Sequence, residues 1–166
     1  MQTCYPSHEK KRHEVGLLYH KDYNENQIPT KARPIQMNKE MEEFCRKEIQ
    51  DLLNKKLIRK NSLPWSCFTF YVIKNAILER GTPRLVINYK PLNKALEWIR
   101  YPNPNKKDLL QKLCNAKIFS KFNTKSRFWQ IQIKEKERYK TAFTIPFGQY
   151  EWNVMPFGLK NAPSEF

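Results

Sequence analysis

Two neighbouring stretches decide the fold of this chain. Residues 117–133 read KIFSKFNTKSRFWQIQI, and residues 139–166 read YKTAFTIPFGQYEWNVMPFGLKNAPSEF. The alternation of apolar and polar side chains across Trp129–Ile133 predicts a half-buried strand. The two stretches contain four apolar runs, which are Lys117–Phe122, Phe128–Lys134, Tyr139–Ile145 and Tyr150–Met155. Gly and Pro in the turn Pro146–Gln149 predict a hairpin between the last two of these runs.

The preceding part of the chain predicts two helices and another hairpin. Apolar residues recur at helical spacing after Asn38, which can cap the helix start. Two apolar, β-branched and aromatic runs flank the turn Gly81-Thr82-Pro83, which is typical of a hairpin. Pro102 and Pro104 break the chain before a second helix. The predicted elements are a helix over Lys39–Arg59, strands over Trp65–Ile73 and Arg84–Tyr89, and a helix over Asn105–Cys114.

The chain has four cysteines, and none of them forms a CxxC pair. Cys45 and Cys114 fall on apolar faces of the predicted helices, so we expect buried free thiols. Cys4, His8 and His13 are possible zinc ligands, but the paired spacing and a fourth ligand are missing, so no metal is predicted there. No secretory or membrane-spanning apolar run is visible, so we expect an intracellular protein without membrane contact.

The sequence divides into a short extension and one folded unit. Residues 1–30 are polar and lack a sustained apolar period, so we expect a poorly ordered extension. Residues 31–166 hold all the predicted elements. Asn161-Ala162-Pro163 predicts a helix start just before Phe166, so we expect the folded unit to be incomplete at its C-terminus.

The charge of the chain points to a polyanionic partner. There are 31 Lys and Arg against 16 Asp and Glu among 166 residues, a formal net charge of +15. Residues 63–122 alone carry 11 basic and 3 acidic side chains. A merely solvated basic surface would explain solubility but not this concentration. Nucleic acid is therefore the favoured partner.

Three motifs carry a resemblance to a known family. They are FSKFxxKSxFWQI at 119–131, TAFTIPFGQYEW at 141–152 and MPFGLKNAPSEF at 155–166. Together they resemble the reverse transcriptase of retroelements, and most of all that of plant pararetroviruses of the caulimovirus group. The match runs in order from about Ala32 to the last residue. It implies an α+β fold: the fingers and the first part of the palm of a right-hand polymerase.

The resemblance also implies where a metal would bind. Polymerases of this family use carboxylates that hold two Mg²⁺ ions. The first of these carboxylates corresponds to Asn123, and residues 117–133 contain no Asp or Glu. Arg127 stands where the family has Gly, and the family's Tyr-X-Asp-Asp segment would lie beyond Phe166. We therefore expect this chain to bind no Mg²⁺ productively and to be catalytically inactive.

By the same resemblance, a nucleoside triphosphate would contact the fingers and the palm. Arg84 would pair with phosphate oxygens, and Lys74 is a weaker second cation. Phe128 sits at the family's aromatic steric gate, which excludes a ribose hydroxyl. Phe157 and Gly158 match the segment that lines the nucleotide pocket. From periodicity alone Phe128 and Phe157 would be core aromatics, whereas the aligned motifs favour the pocket.

Aromatic and basic residues interleave in the fingers, which is typical of contact with single-stranded template. Trp65 is the predicted stacking residue, beside Tyr71 and Trp98. The other predicted nucleic-acid contacts are Lys90, Asn93, Lys94 and Arg100.

Three functional hypotheses follow. The first is an inactive fragment of a reverse transcriptase polyprotein, whose parent partners are an RNA or DNA primer–template and a deoxynucleoside triphosphate. The second is a non-catalytic basic module that binds nucleic acid. The third is a chain that cannot fold because it leaves an exposed apolar face. No stable protein partner is predicted.

Overall fold

The computed structural model describes residues 13–24, 32–34, 36–72, 83–102, 105–114, 116–120, 124 and 126–166. Short strands and helices alternate along these residues. The strands are β1 Glu14–Val15, β2 Ile58–Lys60, β3 Thr69–Val72, β4 Arg84–Ile87, β5 Gln132–Ile133, β6 Phe143–Ile145 and β7 Gly148–Trp152. The helices are α1 Lys39–Asn54, α2 Lys90–Ala95, α3 Lys106–Leu113 and α4 Ala162–Glu165, with 3₁₀ helices at Arg127–Gln130 and Glu135–Thr141.

Helix α1 begins where the sequence predicts it, because Asn38 caps it. The Asn38 backbone is extended, and its side-chain oxygen accepts a hydrogen bond from the Met41 amide at 2.8 Å. Glu40 and Glu42 place negative charge at the positive end of the helix dipole. The face that packs into the core buries Cys45, Ile49 and Leu52.

Helix α1 ends at Asn54, earlier than the predicted Arg59. Lys56 takes a left-handed conformation with φ 55°, and the Leu57 amide then donates to the Leu52 carbonyl at 3.0 Å. This is a Schellman-type ending, in which the turn satisfies carbonyls of the last helical turn. Apolar residues continue past the turn because the following part of the chain also faces the core. They belong to strand β2 and not to a longer helix.

A three-stranded sheet, in the order β2–β7–β6, forms around the predicted hairpin. Ile145 lies opposite Gly148 across β6 and β7, so Pro146 and Phe147 form the turn. The predicted hairpin is therefore confirmed. Strand β2 pairs antiparallel with the other edge of β7.

The second predicted hairpin is also confirmed, since Val72 pairs with Arg84 across antiparallel β3 and β4. Strand β3, however, begins at Thr69 rather than at the predicted Trp65. Residues 65–67 are buried one after another, which a half-buried strand cannot achieve because its side chains alternate between two faces. The turn between the two strands lies outside the described residues.

The predicted strand over Phe128–Lys134 is mostly wrong. Ser126 has φ 51° and ψ 41°, a left-handed conformation that turns the chain into a 3₁₀ helix. The Trp129 amide donates to the Ser126 carbonyl at 3.0 Å, and only Gln132–Ile133 pair as strand β5. The expected run over Lys117–Phe122 also forms no strand in its described part.

Part of the predicted N-terminal extension belongs to the fold. Strand β1 pairs in parallel with β5, and Leu17 is fully buried in the core. The Glu97 amide donates to the Leu18 carbonyl at 2.7 Å. Residues 13–24, named here the N-terminal strap, therefore correct the expectation of a poorly ordered segment over 1–30, whereas residues 1–12 lie outside the described residues.

A buried ion pair fastens the N-terminal strap. Lys140 Nζ lies 3.2 Å from Glu137 Oε2 and donates to the Leu17 carbonyl at 2.7 Å. Glu137 Oε2 accepts a hydrogen bond from the Leu17 amide at 2.6 Å. The Lys140 ammonium also lies 3.9 Å from the centre of the Tyr19 ring. Both backbone groups of Leu17 are thus satisfied by the two charges.

Helix α3 begins after Asn105, as predicted, because the Asn105 side chain accepts a hydrogen bond from the Lys107 amide at 3.1 Å. No residue of α3 is buried. The expectation of a buried thiol is confirmed for Cys45 and wrong for Cys114, which is exposed because the apolar face of α3 has no packing partner among the described residues. Among the described helices, none is long and apolar enough to cross a membrane.

Replacing Lys140 tests the ion pair. We expect Lys140→Met to lower the free energy of unfolding by about 3 to 5 kcal/mol, because it leaves the largely buried Glu137 carboxylate without its cation. Urea denaturation at neutral pH measures the change. Lys136→Met, on the exposed side of the same 3₁₀ helix, is the matched control and should leave stability nearly unchanged. Equal losses in the two variants would contradict the assignment.

Candidate functional site

Arg84 and Phe157 meet at the end of the β3–β4 hairpin. Arg84 is the first residue of β4 and is exposed. Its guanidinium carbon lies 6.0 Å from the centre of the Phe157 ring. Two residues that the sequence predicted to contact one nucleotide are therefore neighbours, although they are 73 positions apart in the chain.

Phe128 and Arg127 complete this group. The Phe128 ring centre lies 5.3 Å from that of Phe157 in an edge-to-face arrangement. The Arg127 guanidinium lies 4.9 Å from the Phe128 ring centre and 5.7 Å from that of Phe166. Phe128 is only 8% exposed, because the neighbouring rings cover most of it. The residues Arg84, Phe157, Phe128 and Arg127 are named here the cation–aromatic cluster.

The 3₁₀ helix places the last two members of the cluster. Since the chain turns at Ser126, Phe128 points into the core while Arg127 stays exposed. The turn at Ser126, which replaces the start of the predicted strand, is therefore part of the backbone geometry that places Phe128 beside Phe157.

Asn93 holds the loop that carries Phe157. Its amide nitrogen donates to the Gly158 carbonyl at 2.8 Å, and its amide oxygen accepts from the Lys160 amide at 2.9 Å. Asn93 was predicted to contact nucleic acid, but both ends of its amide are occupied by the loop. Its role in this structure is to position the loop.

Gly158 needs to be glycine at this place in the loop. Its φ of 98° is a conformation that side chains with a Cβ rarely adopt. A Cβ would make only an ordinary 3.5 Å contact with the Tyr89 ring, so the constraint is the backbone conformation and not space. Tyr89 itself is buried, and its hydroxyl donates to the Thr141 carbonyl at 3.0 Å. The same burial raises the pKa of Tyr89 well above its ordinary value.

Trp65 is not available for stacking on nucleic acid. It is 7% exposed, and its indole nitrogen donates to the Lys140 carbonyl at 2.8 Å. The prediction that Trp65 binds nucleic acid is therefore wrong. The residue was misassigned because interleaved aromatic and basic residues give the same pattern whether the aromatic ring faces solvent or the core.

The predicted basic contacts do face solvent. Lys90, Lys94 and Arg100 are exposed. The Arg100 guanidinium lies 4.8 Å from the centre of the Trp98 ring, and Trp98 itself is 57% exposed. An exposed aromatic face beside cations is suited to stacking and phosphate contact.

Asn161 is a structural residue that the sequence analysis missed. It is almost fully buried, and its amide donates to the Glu97 carbonyl at 2.8 Å and accepts from the Ile99 amide at 3.3 Å. These bonds join the segment that carries Trp98 to the loop that carries Phe157. Its place beside Ala162-Pro163 was interpreted only as a helix start, which the structure confirms with α4.

The residues present do not fit a Mg²⁺ site. By the resembled motif, Asn123 stands at the position of the first metal-binding carboxylate. Its amide oxygen is neutral, and the chain has no Asp or Glu between residues 109 and 134. Within the described part of the chain, no group of three His, Cys, Asp or Glu could hold a metal ion. Asn123 and Lys74 themselves lie outside the described residues.

Comparison with protein families decides the relationship. Residues 58–166 match the family described as reverse transcriptase (RNA-dependent DNA polymerase). The chain belongs to this reverse transcriptase family. The match includes the three-stranded sheet, the hairpin of Arg84 and the whole cation–aromatic cluster.

Reverse transcriptase relatives among plant viruses confirm the predicted resemblance. The chain is 49% identical over 143 residues to the genome polyprotein of petunia vein clearing virus, covering 86% of this chain and 7% of the polyprotein. It is 44% identical over 136 residues to the enzymatic polyprotein of cauliflower mosaic virus, covering 82% of this chain and 20% of that polyprotein. The chain thus spans at most about a fifth of the length of these two relatives.

Solved structures confirm the predicted fold class, the α+β fingers and partial palm of a right-hand polymerase. The foamy viral protease–reverse transcriptase in complex with double-stranded DNA superposes with a TM-score of 0.69 at 22% identity. That superposition covers 93% of this chain and 31% of the foamy viral chain. The native protease–reverse transcriptase of prototype foamy virus superposes with a TM-score of 0.67 at 21% identity, covering 95% and 20%.

Substitution at Gly158 tests whether the positive φ at this position of the reverse transcriptase chain requires glycine. We expect Gly158→Ala to lower the free energy of unfolding by about 1 to 2 kcal/mol, because the positive φ strains any residue with a Cβ. Thermal unfolding followed by circular dichroism measures it. Gly16→Ala is the matched control, since a Cβ there would make only an ordinary 3.8 Å contact with Lys134. The explanation fails if Gly158→Ala is as stable as the parent chain.

Proposed function

We propose that this chain binds primer–template nucleic acid and nucleoside triphosphates through a reverse transcriptase surface, but does not carry out RNA-directed DNA synthesis. The observation that carries the proposal is Asn123, at the position where the family motif has its metal-binding Asp. An amide oxygen is a weaker ligand than a carboxylate for a hard dication and brings no charge.

The binding half of the proposal rests on exposed cations. Arg84 lies beside Phe157, and Lys90, Lys94 and Arg100 face solvent nearby in the chain. The formal net charge of +15 favours phosphate backbones in general. Solved relatives of the same fold are complexes with double-stranded DNA and with an RNA/DNA hybrid, and these complexes support nucleic acid as the partner class here.

The inactivity half rests on charge at the reacting centre. Nucleotide transfer in this family generally needs divalent metal ions. In this chain the stretch 109–134 offers only basic and neutral side chains around position 123. A dication would be repelled there and not held. The same stretch contains Arg127, a cation where the resembled motif has Gly.

A primer-extension assay tests inactivity. We expect no deoxynucleotide to be added to a primed RNA or DNA template in the presence of Mg²⁺ or Mn²⁺. A foamy viral reverse transcriptase on the same template serves as the positive control for the assay. Extension of the primer by even one nucleotide, at a level that scales with the concentration of this chain, would overturn the proposal.

Binding of a labelled primer–template tests the other half. We expect the association constant to fall steeply between 50 and 200 mM salt, because cations released from the phosphates drive the association. Lys94→Ala should reduce the slope of log K against log salt by about 0.7 to 0.9, the share of one phosphate contact. Lys47→Ala, an exposed lysine on α1 outside the predicted set, is the control. A salt-independent affinity would contradict electrostatic binding.

A further inference from the structure

Each ring of the aromatic pair in the cation–aromatic cluster has a guanidinium group beside it. Arg84 lies against Phe157, the Phe157 and Phe128 rings are in contact, and Arg127 lies against Phe128. Both arginines are exposed. Within the described part of the chain, neither guanidinium forms an ion pair. Their charge is therefore available to an anion in solution.

Arg127 is held in place and not free to sweep through solvent. Its guanidinium contacts two rings, Phe128 at 4.9 Å and Phe166 at 5.7 Å. The left-handed turn at Ser126 fixes the backbone just before it. Contacts with aromatic faces restrict the side chain without neutralising its charge, since a guanidinium that lies on a ring keeps the N–H groups at its edge free to bind an anion. Such an arginine is preorganised to bind an anion.

The stretch of sequence around Arg127 carries no acidic side chain. No Asp or Glu occurs from residue 109 to residue 134, whereas this stretch contains five lysines in addition to Arg127. Where the resembled motif has Asp and Gly, this chain has Asn123 and Arg127. Relative to the resembled motif, the two differences make this stretch of sequence more positive by two charges. A polyphosphate and a carboxylate repel each other unless Mg²⁺ lies between them. Because this stretch has no carboxylate, a polyphosphate would not meet that repulsion from it.

We propose that Arg127 and Arg84 form a metal-independent polyphosphate site, which binds the triphosphate of a nucleotide by guanidinium contacts in place of a divalent cation. The planar guanidinium matches two oxygens of a phosphate group at once. This inference rests on the proposed nucleotide binding and specifies its chemistry. Phe157, which is 42% exposed and lies beside Arg84, offers an aromatic surface to the same ligand.

Calorimetric titration with dATP and with inorganic tripolyphosphate, each in excess EDTA, tests the site. We expect both ligands to bind, with affinities that change less than twofold when Mg²⁺ replaces EDTA. Arg127→Ala should weaken the binding of both at least tenfold, and Arg127→Lys should recover part of the loss because it restores the charge without the fork. Circular dichroism of each variant establishes that it is folded.

The matched control is Arg46→Ala. Arg46 is also an exposed arginine whose guanidinium lies on an aromatic ring, 4.4 Å from the centre of Phe147, but it lies on α1 and forms an ion pair with Glu42. The Arg46→Ala substitution should leave the affinities for dATP and for tripolyphosphate unchanged. Binding that EDTA abolishes, or equal affinity in the parent and Arg127→Ala, would overturn the inference. If Arg127→Ala keeps both the parent's triphosphate affinity and its primer–template affinity, this inference fails while the proposed function stands.

Discussion

Two consecutive residues, Lys140 and Thr141, connect the parts of the chain that position the site. The Lys140 carbonyl accepts from the Trp65 indole, and its ammonium binds the N-terminal strap. The Thr141 carbonyl accepts a hydrogen bond from the Tyr89 hydroxyl, and the Thr141 hydroxyl accepts one from the amide of Trp152 in β7. Because these residues are buried, each bond is formed away from competing water, and losing one leaves a polar group unsatisfied. The hairpin, the strap and the sheet are thus fixed relative to one another.

The cluster inherits its geometry from this arrangement. Tyr89 packs beside Gly158, and Asn93, one helical turn after Tyr89, holds the Gly158 loop by its amide. The loop in turn carries Phe157 to the edge of the Phe128 ring. Among the described residues, the contacts that hold this loop are apolar contacts and hydrogen bonds between neutral groups. The geometry of the cluster therefore depends on these contacts and not on an acidic side chain.

Local patterns in the sequence predicted those elements that local chemistry determines. The Asn38 and Asn105 caps and the β6–β7 turn each depend on residues a few positions apart, and all three are observed. The prediction failed where distant residues decide. Trp129–Ile133 alternates like a strand, yet after the left-handed turn at Ser126 its first two residues belong to a 3₁₀ helix and only Gln132–Ile133 pair as a strand. The strap looked disordered because only its few apolar residues, Leu17 among them, enter a core built elsewhere.

For the site, the sequence predicted which residues belong together better than what each one does. Arg84, Phe157 and Phe128 came from aligned motifs, and the structure places them in contact. Asn93 and Trp65 were assigned by the same reasoning and prove to be internal supports, because an amide or an indole can serve a backbone as well as a nucleotide. Arg127 shows the converse. It was interpreted only as an obstacle to metal chemistry, but its contacts with two rings and its lack of an ion pair among the described residues make it a preorganised cation. A substitution that removes one chemistry from a site can, through the charge it adds, make another possible.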